Sequence, residues 1–184
     1  MQVLLDREST ARALRRMAGE IIERHHGTEE LALIGIRRGG VAVARALGQW
    51  IRELEGAEVP LGTVDITLYR DDAATALPNP RIGPSEIPFS IAGRRVILAD
   101  DVLYSGRTVR AALDALLDYG RPRTVELAVL IDRGGRERPI FASYAGTTLE
   151  VPAEERGDVR DDAAGLRAVL QAAGAPSIPP SALP

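Results

Sequence analysis

Apolar residues recur at helical spacing over residues 10–26, where Leu14, Met17, Ala18, Ile21 and Ile22 share one face. Ser9 or Thr10 can cap this helix and Gly27 can end it. LALIGI (31–36) is instead one unbroken apolar run, the pattern of a parallel strand covered on both faces. After an RRGG turn (37–40), Val43, Leu47, Trp50, Ile51 and Leu54 mark a second helix over 41–55, stopped by Gly56. GTVDITL (62–68) alternates like a strand, and RVILA (95–99) is a buried strand running into Asp100 and Asp101. A third helix over 107–119 turns Val109, Ala112, Leu113, Leu116 and Leu117 inward and closes at Gly120; TVELAVLI (124–131) is a further strand. Residues 140–151 have weak strand character, and 161–173 predict a short alanine-rich helix capped by Asp161 or Asp162.

Strands alternating with helices predict an α/β domain with a mostly parallel sheet. We place that domain at 1–150, a C-terminal addition with the short helix at 151–174, and a disordered tail at 175–184. Residues 70–94 carry Pro78, Pro80, Pro84 and Pro88 and little apolar content, so a long loop is expected there. Ligands of parallel sheets bind outside the carboxyl ends of the strands. Three segments fall there, 37–40, 100–108 and 132–138, each rich in Gly, Arg or Asp.

Composition narrows the chemistry. Of 184 residues, 45% are hydrophobic and 27% charged, as in a folded globular chain. No apolar run is long enough to span a bilayer, and the N-terminus lacks the pattern of a secretory signal, so a cytoplasmic protein without membrane contact is expected. With no cysteine, disulfides, thiolate metal sites and cysteine nucleophiles are excluded. All 23 basic residues are arginine, so phosphate must be met by guanidinium groups, backbone N–H groups and hydroxyls. The net charge of −3 lies wholly in residues 150–184; the rest is neutral and offers no global basic field for nucleic acid.

The sharpest chemistry is in RVILADDVLYSGRT (95–108). A strand runs into two acids, then a hydroxyl–glycine turn, then a helix. The N–H groups of Ser105 to Thr108 and the helix dipole suit a phosphate, and the acids suit a sugar diol. A Walker A lysine is missing.

VILADDVLYSGRT resembles the phosphoribosyl-pyrophosphate signature of type I phosphoribosyltransferases. GIRRGG (35–40), VDITLYRDD (64–72), DDVLYSGRTVRAALDALLDYGRP (100–122) and LAVLIDRGGRERPI (127–140) narrow the resemblance to the pyrimidine operon attenuator/uracil phosphoribosyltransferase family, PyrR. The resemblance implies a parallel-sheet type I phosphoribosyltransferase fold with a flexible lid loop at 70–86. It implies that Asp100 and Asp101 bind the ribose hydroxyls, that Tyr104, Ser105, Gly106, Arg107 and Thr108 bind the 5′-phosphate, and that Arg38, Gly39 and Gly40 wrap the pyrophosphate. Arg70, on the lid, joins Asp100 and Asp101 as a catalytic candidate, and Ile131, Asp132 and Arg133 would read uracil. No protein metal site is implied; Mg²⁺ would be held mainly by phosphoribosyl pyrophosphate and water. Three departures stand out. The pyrophosphate-loop arginine falls one position early, Gly135 stands where the family usually has histidine, and Tyr104 replaces the aspartate that handles a purine ring in purine-salvage members.

The implied function is double: conversion of uracil and phosphoribosyl pyrophosphate to UMP and pyrophosphate, and UMP-dependent binding of pyrimidine-gene leader mRNA (transcription attenuation). Arg12, Arg15, Arg16 and Arg24 form the candidate RNA face on the first helix, whose bland alternative is a solvated surface. Phe141 stands where the family commonly has an RNA-facing arginine. A uracil phosphoribosyltransferase without RNA binding, and an RNA-binding regulator with vestigial catalysis, are the alternatives. The family's habit implies a homo-oligomer, a dimer or higher.

Overall fold

The apolar pattern becomes two layers of core around one sheet. The structure is a computed structural model that describes residues 2–71, 84–151, 155–162 and 165–172. In chain order the elements are β1 (Gln2–Leu5), α1 (Arg7–His25), β2 (Leu31–Ile36), α2 (Gly39–Glu55), β3 (Leu61–Val64), β4 (Arg95–Leu103), α3 (Arg107–Leu117), β5 (Thr124–Asp132), β6 (Tyr144–Thr148), β7 (Glu155–Asp162) and β8 (Gly165–Ala172). Five strands form a parallel sheet in the order β3-β2-β4-β5-β6, with β4 at its centre.

All six residues of β2 are buried because helices cover both faces of the sheet. Leu31 and Leu33 pack with Leu14, Met17, Ile21, Leu47 and Ile51 of α1 and α2. Ala32, Ile34 and Ile36 point the other way, into a cluster with Val109, Ala112 and Leu116 of α3. Each fully buried large aliphatic side chain contributes roughly 1.5–3 kcal/mol by leaving water. At the far end of α1, the Tyr144 hydroxyl donates to Glu126 at 2.5 Å, and Glu126 lies 3.1 Å from His25 Nε2. Burial and the Glu126 carboxylate push the Tyr144 pKa upward, which keeps it a donor.

Several boundaries differ from expectation. Asp6, not Ser9 or Thr10, caps α1, its carboxylate accepting from Ser9 N at 2.7 Å. The helix ends at His25, with His26 left-handed at the cap position ahead of Gly27. The strand expected over 62–68 covers only 61–64; Asp65 then accepts from Thr67 N at 2.9 Å and turns the chain.

The helix expected over 161–173 is a correction. Glu155–Asp162 and Gly165–Ala172 pair antiparallel as the hairpin β7–β8, and β8 pairs antiparallel with β1, a strand the pattern did not predict. Helix propensity, even alanine's, is a small term that tertiary context overrides, and β1 offers an edge of backbone groups that must be paired. Ala168 joins the core beneath α1 and α2, and Val169 is fully buried. The tail 175–184, and the lid residues 72–83 within 70–86, lie outside the described residues. Among the described residues no helix is long and apolar enough to cross a membrane.

Candidate active site

The central strand delivers the acids. After the buried run Val96–Ala99, β4 carries Asp100, 5% exposed, and Asp101, half-buried, to its carboxyl end. Burial raises the Asp100 pKa well above its ordinary value, and the adjacent Asp101 charge adds to this. Burial raises Asp101 as well; hydrogen bonds, including one from Val102 N at 2.8 Å, oppose the rise, and Asp158 of β7 adds to it.

The turn after β2 lies directly on these acids. A Cβ at Gly39 would sit 2.1 Å from Asp101 Oδ2, and one at Gly40 would sit 2.2 Å from the Ala99 carbonyl oxygen. Only glycine permits that approach. The Arg37–Arg38 peptide preceding them is cis, and Arg38 is exposed. The structure therefore brings Gly39 and Gly40 together with Asp100 and Asp101, with Arg38 next to them in the chain.

The second wall is the turn after β4. Gly106 is left-handed (φ 86°) and caps α3, so the first N–H groups of the helix have no partner within the helix itself. The Ser105 hydroxyl accepts from Arg107 N at 3.3 Å, and the Ser105 carbonyl accepts from Glu137 N and Arg138 N, both at 3.0 Å. Tyr104 and Thr108 are exposed.

The third wall is 131–140. The Ile131 side chain is fully buried in the core and cannot itself meet a ligand. Asp132 is tied to Gly134 N at 3.0 Å and to Arg136 at 2.5 Å. The Arg133 guanidinium stacks 4.1 Å above the Tyr104 ring and donates to the carbonyls of Glu155 and Val151 at 2.8 and 3.4 Å. Its side chain thus ties this segment to the start of the C-terminal hairpin. Gly135 answers to Tyr104, because a Cβ there would lie 2.3 Å from the ring and its φ is +69°.

Arg70 is exposed at the start of the loop after β3. Its neighbour Asp71 reaches across to Arg107 at 3.1 Å and Arg138 at 3.3 Å, and its hydrogen bond from Arg107 lowers its pKa. Arg136, Glu137, Arg138 and Asp158 also stand at this site, although the sequence pattern did not single them out. The alternating charges of DRGGRER were the available signal; Asp158 gave none, because only the β7–β8 hairpin brings it to β4.

The α1 arginines are engaged within the chain. Arg12 pairs with Glu8 across one helical turn, and Arg15 lies 5.9 Å from the Trp50 ring. Arg16 holds Glu20 at 2.7 Å and donates to the carbonyls of Ala145 and Gly146 at 3.0 and 2.6 Å. Arg24 lies over the Tyr144 ring at 4.8 Å. Phe141 is 73% exposed.

Comparison with known proteins gives three findings. Residues 2–156 match the phosphoribosyl transferase domain family. The bifunctional protein PyrR of Pelotomaculum thermopropionicum is 52% identical over 157 residues, 85% of this chain and 87% of that protein; its namesake from Deinococcus radiodurans is 54% identical over 152 residues, 83% of each. Among solved structures, a Bacillus anthracis hypoxanthine-guanine phosphoribosyltransferase superposes with TM-score 0.66 at 20% identity, covering 82% of this chain and 85% of that one, a likeness of fold alone.

Proposed function

The chain belongs to the phosphoribosyl transferase domain family, within its PyrR branch, and from this premise we infer a bifunctional protein: a uracil phosphoribosyltransferase that also regulates pyrimidine genes through UMP-dependent binding of leader mRNA. One observation carries the enzymatic half, the contact of Gly39 with Asp101 at the mouth of the central strand.

In the reaction, a bond forms between uracil N1 and ribose C1 while the C1–O bond to diphosphate breaks. The electron pair leaves on the diphosphate, and the N1 proton passes to solvent or phosphate. Asp100 and Asp101 accept hydrogen bonds from the ribose diol. The first turn of α3 donates N–H groups to the 5′-phosphate, aided by the helix dipole. The 38–40 turn lies against the diphosphate, and the 131–133 backbone meets the pyrimidine edge. Arg70 is the catalytic candidate that faces the leaving group from the lid. The chain's part is positioning and electrostatic stabilisation of an oxocarbenium-like centre.

No cluster of three metal-ligating side chains occurs among the described residues. The donor set at the site is two adjacent carboxylates, which suits Mg²⁺ carried mainly by diphosphate and water rather than a protein cage. When bound, Mg²⁺ supplies neutralisation of the diphosphate charge.

For RNA, magnitudes separate the α1 arginines. The Arg12–Glu8 pair is highly exposed, and such pairs contribute about 0.3–0.5 kcal/mol, so a phosphate can displace the glutamate. Arg15 has no carboxylate partner among the described residues. Arg16 and Arg24 are structural anchors of α1 on β5 and β6. Arg12 and Arg15 are therefore the RNA contacts we favour. An enzyme without RNA binding is the second reading, supported by the internal engagement of Arg16 and Arg24 and by Phe141. The protein works in the cytoplasm as a homo-oligomer in either reading.

Uracil turnover with phosphoribosyl pyrophosphate, run beside a gel shift on pyrimidine-operon leader RNA with and without UMP, tests both halves. Absence of UMP formation overturns the first, and absence of an RNA shift leaves the enzyme alone.

A further inference from the structure

Two loops face each other across the ends of β4 and β5. The strands stay paired up to Leu103 opposite Asp132, and Arg133 N donates to the Leu103 carbonyl at 3.0 Å. The next backbone links come only at Glu137 and Arg138, which donate to the Ser105 carbonyl. Between them the chain bends through Gly134 and Gly135, both at positive φ. Arg136 bridges this gap. Its Nε donates to the Ile140 carbonyl at 2.8 Å, Nη1 to the carbonyls of Tyr104 and Gly134 at 2.9 and 3.0 Å, and Nη2 to Asp132 at 2.5 Å. The Arg136 and Asp132 side chains are only 15% and 17% exposed.

All three guanidinium nitrogens are thus used, on acceptors from both loops, in a geometry that a rotating ammonium cannot reproduce. We propose that Arg136 is a positioning residue for the pyrimidine. It fixes the 131–135 backbone, which meets the base, at a set distance from the Tyr104–Thr108 turn, which holds the ribose phosphate. The inference rests on the phosphoribosyltransferase reading above. The guanidinium lies behind the loop, bonded to Tyr104, Gly134 and Ile140 through their carbonyls, so its effect on the base is indirect. Reacting atoms carried on separate loops need this kind of tie, because a displacement of about 1 Å can cost on the order of 100-fold in rate.

The test uses Arg136→Lys and Arg136→Met in the full chain. Initial rates are measured with uracil and with phosphoribosyl pyrophosphate varied separately. Phosphoribosyl pyrophosphate affinity is measured by calorimetry without uracil, and melting is followed by circular dichroism. Expected is a rise in uracil KM or a fall in kcat of about tenfold or more, with phosphoribosyl pyrophosphate affinity within about twofold of the parent and lysine less impaired than methionine. Uracil kinetics equal to the parent's would overturn the proposal. So would a parallel loss of both substrates in step with melting temperature, or failure of both variants to fold, since Arg136 would then serve the whole domain. Absence of UMP formation by the parent protein would overturn the underlying reading and this inference with it.

Discussion

Replacing Gly39 with alanine probes the contact on which the site is assembled. The added carbon would lie 2.1 Å from Asp101 Oδ2 and 2.3 Å from its Cγ, against an ordinary contact that begins near 3.4 Å. Either the carboxylate or the 38–40 turn must move by about 1 Å. The carboxylate is held by Val102 N at 2.8 Å, and a hydrogen bond to a charged group contributes about 1.5–3 kcal/mol. Both routes separate the ribose acids from the turn that meets the diphosphate. A misplacement of this size costs on the order of 100-fold, or about 2.7 kcal/mol of transition-state stabilisation. Steady-state UMP formation should therefore show kcat/KM for phosphoribosyl pyrophosphate lowered about 100-fold. Melting should fall by roughly 3–12 °C, at about 2–4 °C per kcal/mol for a domain of this size. Gly19→Ala is the matched control. It lies inside α1 with nothing within 4 Å of the added carbon, so it should leave turnover unchanged and stabilise by about 0.5–1 kcal/mol. A Gly39→Ala protein that turns over at the parent rate would refute the assignment of this turn.

Three further outcomes follow from the site. Burial raises the carboxyls of Asp100 and Asp101 above 3.8, so from that pH up to the raised values the folded protein holds more protons than the unfolded chain, and stability falls as pH rises through this window. Asp100→Asn with Asp101→Asn should abolish UMP formation yet melt higher than the parent near neutral pH, with the gain fading below about pH 4; melting curves across pH check the sign. Because Tyr104 packs on Gly135 beneath Arg133 where purine-salvage members have an acid, uracil should be used and hypoxanthine and guanine rejected; comparable initial rates with a purine would remove that role. Arg12→Gln with Arg15→Gln should weaken leader-RNA binding and reduce its salt slope by about 0.7 for each RNA phosphate that is no longer neutralised, and an unchanged gel-shift affinity and slope would exclude this face of α1.

Much of this protein is written in local pattern. The run LALIGI is apolar at every position because both faces of its strand are covered, and that alone announces a parallel sheet with helices on both sides. Asp100-Asp101 followed by Ser105-Gly106-Arg107-Thr108 is legible too, because a strand end, a left-handed glycine and a helix start are consecutive in the chain. What the sequence could not decide involves partners far apart in it. The alanine-rich segment at 161–173 lost its local helical preference to β1, some 160 residues away, whose unpaired backbone edge decided for a strand. That Arg133 reaches the Glu155 carbonyl of the hairpin, that Gly135 is small because Tyr104 lies on it, and that Arg136 ties two loops together are contacts between elements. A side chain's identity limits the bonds it can make, but only the packing of distant elements decides which of those bonds are made.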